Sequence, residues 1–367
     1  MKIALVGYEA NIKNRVGSNQ YAFELLWELW KVDKKNEYVV FLPSLPREDL
    51  PPSRTNWCYK VVGPKKLWNF FGLPLALKKE KPSPGVVFVP GHYAPPFVGL
   101  PLVVTVMDLG YLRFPQHFTK PIYLKLKYWT GFSLKKAAKI LAISESTKKD
   151  IVKFYKISPQ KIIVAPAAIR KREIKIKKEE IVAVKRKYKI DKDYVLFLGT
   201  LKPSKNIEGL IEGFRFLDVE DLRLVIAGRK GWLYEKIFEK VKDLGLEGKV
   251  IFTDFVPEKE ISALMAGASV FVLPSFWEGF GIPVLEAMSF GVPVVTSNVG
   301  SLPEVVGKAG ILVDPYRPKE IALGIKKALE NKEKLVKLGY QQIKRFSWEE
   351  TAKKVVKVLE EVGGKNV

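Results

Sequence analysis

The stretch FVLPSFWEGFGIPVLEAMSFGVPVVTSN, from Phe271 to Asn298, runs as an apolar strand, a loop with one carboxylate, a Gly-x-Gly and a helix. A Gly-Val-Pro stop and a second apolar strand follow. Gly279 and Gly281 let the backbone approach a ligand closely and keep side chains out of its way. Pro283 falls in the first helical turn, where amide groups have no helical partner. Those amides, with the positive end of the helix dipole, suit a phosphate. Glu278 and Glu286 bracket that place, one before the glycines and one on the helix. A carboxylate repels phosphate, so each is read as accepting hydrogen bonds from hydroxyls. A diphosphate flanked on both sides by hydroxyl-bearing groups is the chemistry of a nucleotide-sugar. A buried strand–helix–strand unit with solvated glutamates accounts for either carboxylate alone, but less well for the whole string.

Working outward, apolar strands alternate with amphipathic helical stretches through most of the chain, which predicts an α/β architecture with parallel sheets. The first series of strands is expected at 2–7, 38–42, 86–89, 102–106, 139–143 and 162–165. A charge-dense stretch, 171–189, reads as linker and solvated helix. The second series begins with YVLFLG at 194–199 and continues at 222–227, 250–252, 269–273, 293–296 and 311–313. The predicted domains are 1–170, strongly basic, and 193–346, joined by a linker at 171–192. A last helix within 347–367 is expected to pack back on the first domain. In such sheets ligands bind at the carboxyl ends of the strands.

The chain has 367 residues, enough for two domains of ordinary size. Its only cysteine is Cys58, so no disulfide framework exists, and a reducing, cytoplasmic setting with a buried thiol is expected. The opening Met-Lys-Ile-Ala-Leu-Val-Gly reads as a first strand rather than a leader. The uncharged run Gly85–Met107 is broken by four prolines and reads as two buried strands with a loop. Abundant lysine with few thermolabile residues fits heat adaptation. Of the net charge of +23, residues 1–190 carry +22 and residues 191–367 carry +1. Such asymmetry points to a polyanionic partner for the first half. No Gly-x4-Gly-Lys-Ser/Thr loop, His-Glu-x2-His or cysteine cluster is present, which excludes the common NTPase and zinc signatures. Asp191-Lys-Asp193 reads as a solvated turn.

The string EGFGIPVLEAMSFGVPVV, with Glu278 and Glu286 eight residues apart, resembles the signature of family 4 retaining glycosyltransferases with the GT-B fold. The similarity covers nearly the whole chain and is sharpest from 194 to 316. It implies two Rossmann-like domains facing across a cleft, a nucleotide-sugar donor, no metal and a mannosyltransferase-like lean. GDP-mannose is then the first candidate donor and a UDP-hexose the second. Catalytic roles fall on Glu278 and Asp108. Donor binding falls on Gly17, Ser18, Lys205, Arg229, Val256, Phe280, Gly281, Ile282, Pro283 and Glu286. Lys205 and the helix amides would stabilise the leaving diphosphate, and that phosphate would serve as the base.

Two positions depart from the family pattern. Ser204 stands where an arginine usually precedes the lysine. Met107 stands where a histidine usually precedes Asp108, with His92 and His117 as possible substitutes from neighbouring loops. These departures leave open a degenerate, non-catalytic member that binds glycolipid or an anionic membrane surface. A sugar-nucleotide epimerase fits less well. The acceptor is expected to be a glycan, a lipid-linked glycan or another anionic molecule, and nucleic acid is not expected. Residues 65–80 and 120–139 mix lysines with aromatics, as helices lying on an anionic membrane do. That pattern also fits soluble amphipathic helices with their aromatics in the core.

Overall fold

The structure, a computed structural model, describes residues 1–15, 17–91, 93–169, 176–217 and 219–364. The chain forms two compact units, Met1–Ala167 with Ser347–Val367, and Ala168–Phe346.

The first unit holds a seven-stranded sheet: β1 Lys2–Val6, β2 Glu37–Leu42, β3 Trp57–Val61, β4 Val86–Val89, β5 Leu102–Val106, β6 Lys139–Ala142 and β7 Ile162–Val164. Their order is β3-β2-β1-β4-β5-β6-β7, and every neighbouring pair is parallel. Strands β4 and β5 are buried throughout, as strands covered on both faces must be. They are the two strands expected within the uncharged run, and no helix among the described residues is long and apolar enough to cross a membrane. The edge strand β3 is an addition to the sequence reading. Only Trp57 of its five residues is buried, and its ring lies 4.8 Å from that of Tyr38 on β2. Cys58, expected to be buried, is half-buried on this strand, and burial pushes its thiol pKa up, away from nucleophilic use.

The C-terminal helix Trp348–Gly363 belongs to this unit. Ser347 caps it by accepting the amide of Glu350 at 3.4 Å. Its apolar face is buried, with the Trp348 ring 5.3 Å from Tyr21 and the Thr351 hydroxyl donating to Pro166 O at 2.8 Å.

The second unit holds six strands: β8 Asp193–Leu198, β9 Leu222–Ala227, β10 Val250–Asp254, β11 Val270–Leu273, β12 Val294–Ser297 and β13 Gly310–Val313. Their order is β10-β9-β8-β11-β12-β13, again all parallel. Winding runs outward from β8 to β10, then returns and runs the other way from β11 to β13. The crevice between β8 and β11 is therefore a topological switch point, where the loops leaving adjacent strands part in opposite directions. In the first unit β1 and β4 hold the same relation. Of the segment read as linker, residues 171–175 lie outside the described residues, and Lys178–Lys187 is a helix of this unit. Its Val184 is buried, and the Tyr188 hydroxyl just after it donates to Glu260 at 2.6 Å. Asp191 and Lys192 pair with Arg223 and Asp221 at the surface, as a solvated turn does.

Candidate active site

Two loops meet where the second sheet switches direction. After β8 the chain makes a single turn at Pro203–Lys205 and enters the helix Ile207–Arg215 through Asn206. Asn206 is buried and left-handed, with φ 54°. Its amide donates to Pro274 O at 3.1 Å and Pro315 O at 2.6 Å, which fastens the turn to the loops after β11 and β13. The Phe276 amide donates to Ser204 O at 3.0 Å, so Ser204 contributes a backbone carbonyl to the loop joint.

This joint carries Lys205 to Glu278. The ammonium lies 2.5 Å from Glu278 Oε1, and the Ser275 hydroxyl donates to the same oxygen at 2.6 Å. Burial pushes the Glu278 carboxyl up, but Lys205, Ser275 and the field of Lys202 outweigh it and hold the group below the usual glutamate range. Both members of the pair are largely buried, so the interaction is far less screened than a surface ion pair. Glu278 is therefore an anionic acceptor, and Lys205 is a positioned cation that an incoming anion could take.

The glycine loop follows directly. Gly281 caps the helix Ile282–Ser289 with φ 104°, and a Cβ there would lie 2.7 Å from Leu302 Cδ2. Only glycine fits on both counts. Ile282 and Pro283 open the helix, and Glu286 stands one turn in, half-buried. A buried residue not singled out in the sequence holds the loop. The Ser301 hydroxyl lies 2.9 Å from both Glu278 O and Phe280 O and donates between them. Phe280 is buried edge-on against Phe346, with ring centroids 5.4 Å apart. Ser275, Ser301 and Asn206 thus position the carboxylate, the glycine loop and the lysine. Their only signal in the sequence is small polar residues beside apolar strand ends.

Arg229 follows β9 and Val256 follows β10. Arg229 is exposed; its carbonyl accepts the Leu201 amide at 3.0 Å, and its guanidinium forms no ion pair among the described residues. Val256 is buried as part of the core, beside exposed Phe255. Lys202 places its ammonium 5.2 Å from the Trp232 ring.

In the first unit, Gly17 opens the helix Ser18–Val32 with φ 53°, and its carbonyl accepts the Tyr21 amide at 3.0 Å. Ser18 begins that helix and Asn19 hydrogen-bonds the Glu9 carboxylate. Glu9 follows β1 and was not singled out in the sequence. Burial raises its pKa against the pull of Asn19, and a Cβ on Gly91, after β4, would come within 3.3 Å of its Cγ. Tyr93 beside it is pushed up to about 12 by burial first and then by Glu9 and Asp108. Asp108 follows β5, and its Oδ1 accepts the Gly110 amide at 2.8 Å, closing the turn. Met107 is buried and its carbonyl accepts from the Thr147 hydroxyl at 3.1 Å. The Ser144 hydroxyl caps the next helix by accepting the Thr147 amide at 3.0 Å. Of the two histidines, His117 stacks on Phe114 at 5.3 Å, and His92 lies outside the described residues.

Known proteins resemble this chain in sequence and in fold. Residues 16–171 match the family described as Glycosyltransferase Family 4, and residues 178–345 match Glycosyl transferases group 1. The O-antigen chain mannosyltransferase B of Escherichia coli is 34% identical over 254 residues, covering 67% of this chain and 67% of that protein. A serotype-specific mannosyltransferase, WbdA, of Escherichia coli is 31% identical over 227 residues, 59% of this chain but only 28% of the relative's length. Among solved structures, HepE of Anabaena in complex with UDP and glucose superposes with a TM-score of 0.75 at 18% identity, covering 98% of this chain and 100% of that one. The chain belongs to the family 4 glycosyltransferases of the GT-B fold, and mannosyltransferases are among its relatives.

Proposed function

We propose that the chain is a retaining hexosyltransferase that moves a mannose-type residue from GDP-mannose, with a UDP-hexose as second candidate donor, to a glycan, a glycolipid or another anionic acceptor. The Lys205–Glu278 pair at the β8/β11 switch point, beside the glycine-led helix, carries this reading. Lys205 moves from Glu278 to the donor diphosphate as it binds, and the first-turn amides of the Ile282–Ser289 helix face the same charge. The freed Glu278 carboxylate then accepts from sugar hydroxyls and favours the positive charge that develops on the ring. Glu286 binds a further donor hydroxyl. The acceptor hydroxyl attacks the anomeric carbon on the face from which the diphosphate departs. Its proton passes to the departing phosphate oxygen, so no separate base is needed. Charge on the leaving group is met by Lys205 and backbone amides, and the reaction needs no metal. The mannosyltransferase relatives support mannose, and the HepE complex supports a uridine nucleotide as the second choice.

The proposed setting is the cytoplasmic face of a membrane, with residues 65–80 and 120–139 of the basic first unit against anionic lipid. The test of the reaction is proton NMR of the product made from α-linked GDP-mannose in the presence of EDTA. An α-linked product formed at the same rate with and without chelator is expected. A β-linked product overturns retention, and loss of activity on chelation overturns metal independence. No transfer or donor hydrolysis with any nucleotide-hexose overturns the enzymatic reading.

A further inference from the structure

A cavity of about 570 Å³ opens on the first unit between the helix Gly72–Lys79 and the loop 97–100. Its walls are Phe70, Phe71, Leu75, Phe97 and Val98, and Lys78 and Lys81 stand among its lining residues. Phe71, Leu75 and Phe97 are 51%, 56% and 69% exposed, a concentration of apolar surface that folding alone does not explain. Both walls are tied to the helix Lys120–Lys136. The Phe70 ring lies 5.3 Å from that of Trp129, and the Lys136 ammonium donates to Pro96 O at 2.5 Å. That helix leaves Ile122, Leu124, Tyr128 and Phe132 exposed, with Lys120, Lys125 and Lys135 among them. Its face towards water is thus aromatic and basic, the reverse of a helix that only packs on its own core.

Charge says what covers this surface. From residue 50 to residue 144 the sequence has fourteen lysines and arginines and only two carboxylates, Glu80 and Asp108. Glu80 lines the cavity, but it is buried and neutralised by Lys2 at 3.1 Å and Lys60 at 2.6 Å. Asp108 closes a turn. The surface is therefore positive with apolar side chains standing out of it. A protein partner with an acidic surface would satisfy the lysines and leave Phe71, Leu75 and Phe97 facing charge. An anionic bilayer satisfies both, with phosphate at the level of the lysine ammoniums and hydrocarbon beneath.

We infer that this cavity is an insertion site for one hydrocarbon chain of an anionic phospholipid when the first unit lies on a membrane. The inference deepens the membrane contact proposed above and rests on it. The surface lysines bring the unit to the bilayer, and the cavity holds it there by a contact that salt does not screen.

The test is co-sedimentation of the full chain with vesicles of phosphatidylglycerol and phosphatidylcholine, or of phosphatidylcholine alone, at low and high salt. Wild type is expected to pellet with the anionic vesicles and to keep a salt-resistant fraction. Leu75→Ser with Phe97→Ser changes two exposed side chains, and its fold is checked by thermal unfolding. It is expected to lose about tenfold or more in partitioning and all of the salt-resistant fraction. Lys125→Glu with Lys135→Glu is expected to lose the salt-sensitive part. If the double serine variant sediments like wild type while the double glutamate variant does not, the cavity inference falls and the surface contact stands. Wild type that ignores anionic vesicles overturns both. Light scattering is run alongside, and a wild-type dimer that the serine variant breaks assigns the cavity to a second copy and overturns the inference. Donor hydrolysis in vesicle-free buffer is expected to be equal in wild type and the serine variant, so failure of the catalytic reading registers separately.

Discussion

Replacing Glu278 by glutamine tests whether Lys205 must exchange partners. Without ligand the ammonium is held at 2.5 Å by a carboxylate that also accepts from Ser275. A nucleoside diphosphate competes with that carboxylate for the lysine and approaches a negative charge as it does so. Glutamine keeps the shape and one acceptor but removes the charge. A hydrogen bond to an ionised partner contributes ~1.5–3 kcal/mol net. At about 1.4 kcal/mol per decade, its loss from the unliganded state should tighten diphosphate binding by roughly tenfold to a hundredfold. Transfer should move the other way, falling about a hundredfold or more, because the carboxylate no longer meets the charge on the sugar ring. Isothermal titration of GDP and UDP with wild type and Glu278→Gln reads the first effect, and turnover of the nucleotide-sugar reads the second. Diphosphate affinity that is unchanged or weaker in the variant refutes the exchange.

Ser301→Ala removes the hydroxyl shared by Glu278 O and Phe280 O. It should lower stability by ~1–3 kcal/mol in denaturant titration and raise KM by loosening the glycine loop. Gly228→Ala puts a Cβ 1.9 Å from Gly199 O at a φ of 145°, so backbone must move. A loss of at least ~3 kcal/mol is expected, and a variant as stable as wild type would contradict the β8/β9 geometry. Acid sensitivity follows from three carboxyls. Burial alone would raise the pKa values of Glu278, Asp33 and Glu80, but their partners win and hold all three below the ordinary range. A depressed folded pKa gives stability that is complete above the unfolded value near 4 and is lost as pH falls through the folded one. Thermal unfolding should therefore fall steeply below about pH 4, with a shallower fall in Glu278→Gln, while Glu9, held above its ordinary range by burial, works in the opposite sense as pH rises.

The parallel sheets were legible because strands buried on both faces leave continuous apolar runs, as VVFV at β4 and FVL within β11 do. β3 was not, because an edge strand buries little and WCYKV carries a lysine and only one buried residue. The candidate site divides along similar lines. Glycines, proline and spaced carboxylates leave a local pattern, so the loop from Glu278 to Glu286 could be read from the sequence. The groups that hold it could not: Ser301 and Asn206 act through contacts between separate loops, such as Asn206 to Pro315, and Ser275 is a lone serine three residues before Glu278 with no pattern around it. Arg229 has suitable chemistry just after a strand, and its exposed guanidinium forms no ion pair among the described residues. Glu9 lay unread because a single glutamate after a first strand has no pattern around it. Only the approach of Asn19, Gly91 and Tyr93 makes it distinctive.

The central claim is that the loop from Glu278 to Glu286 is a nucleotide-sugar site. Thermal unfolding of wild type and Glu286→Ala against GDP-, UDP-, ADP- and dTDP-hexoses tests it most directly. A ligand at a hundred times its Kd adds ~2.7 kcal/mol of apparent stability. The account predicts that one nucleotide-sugar, GDP-mannose first, raises the wild-type Tm and that the shift is largely lost in Glu286→Ala. No shift with any donor at millimolar concentration, or an equal shift in the variant, would contradict it.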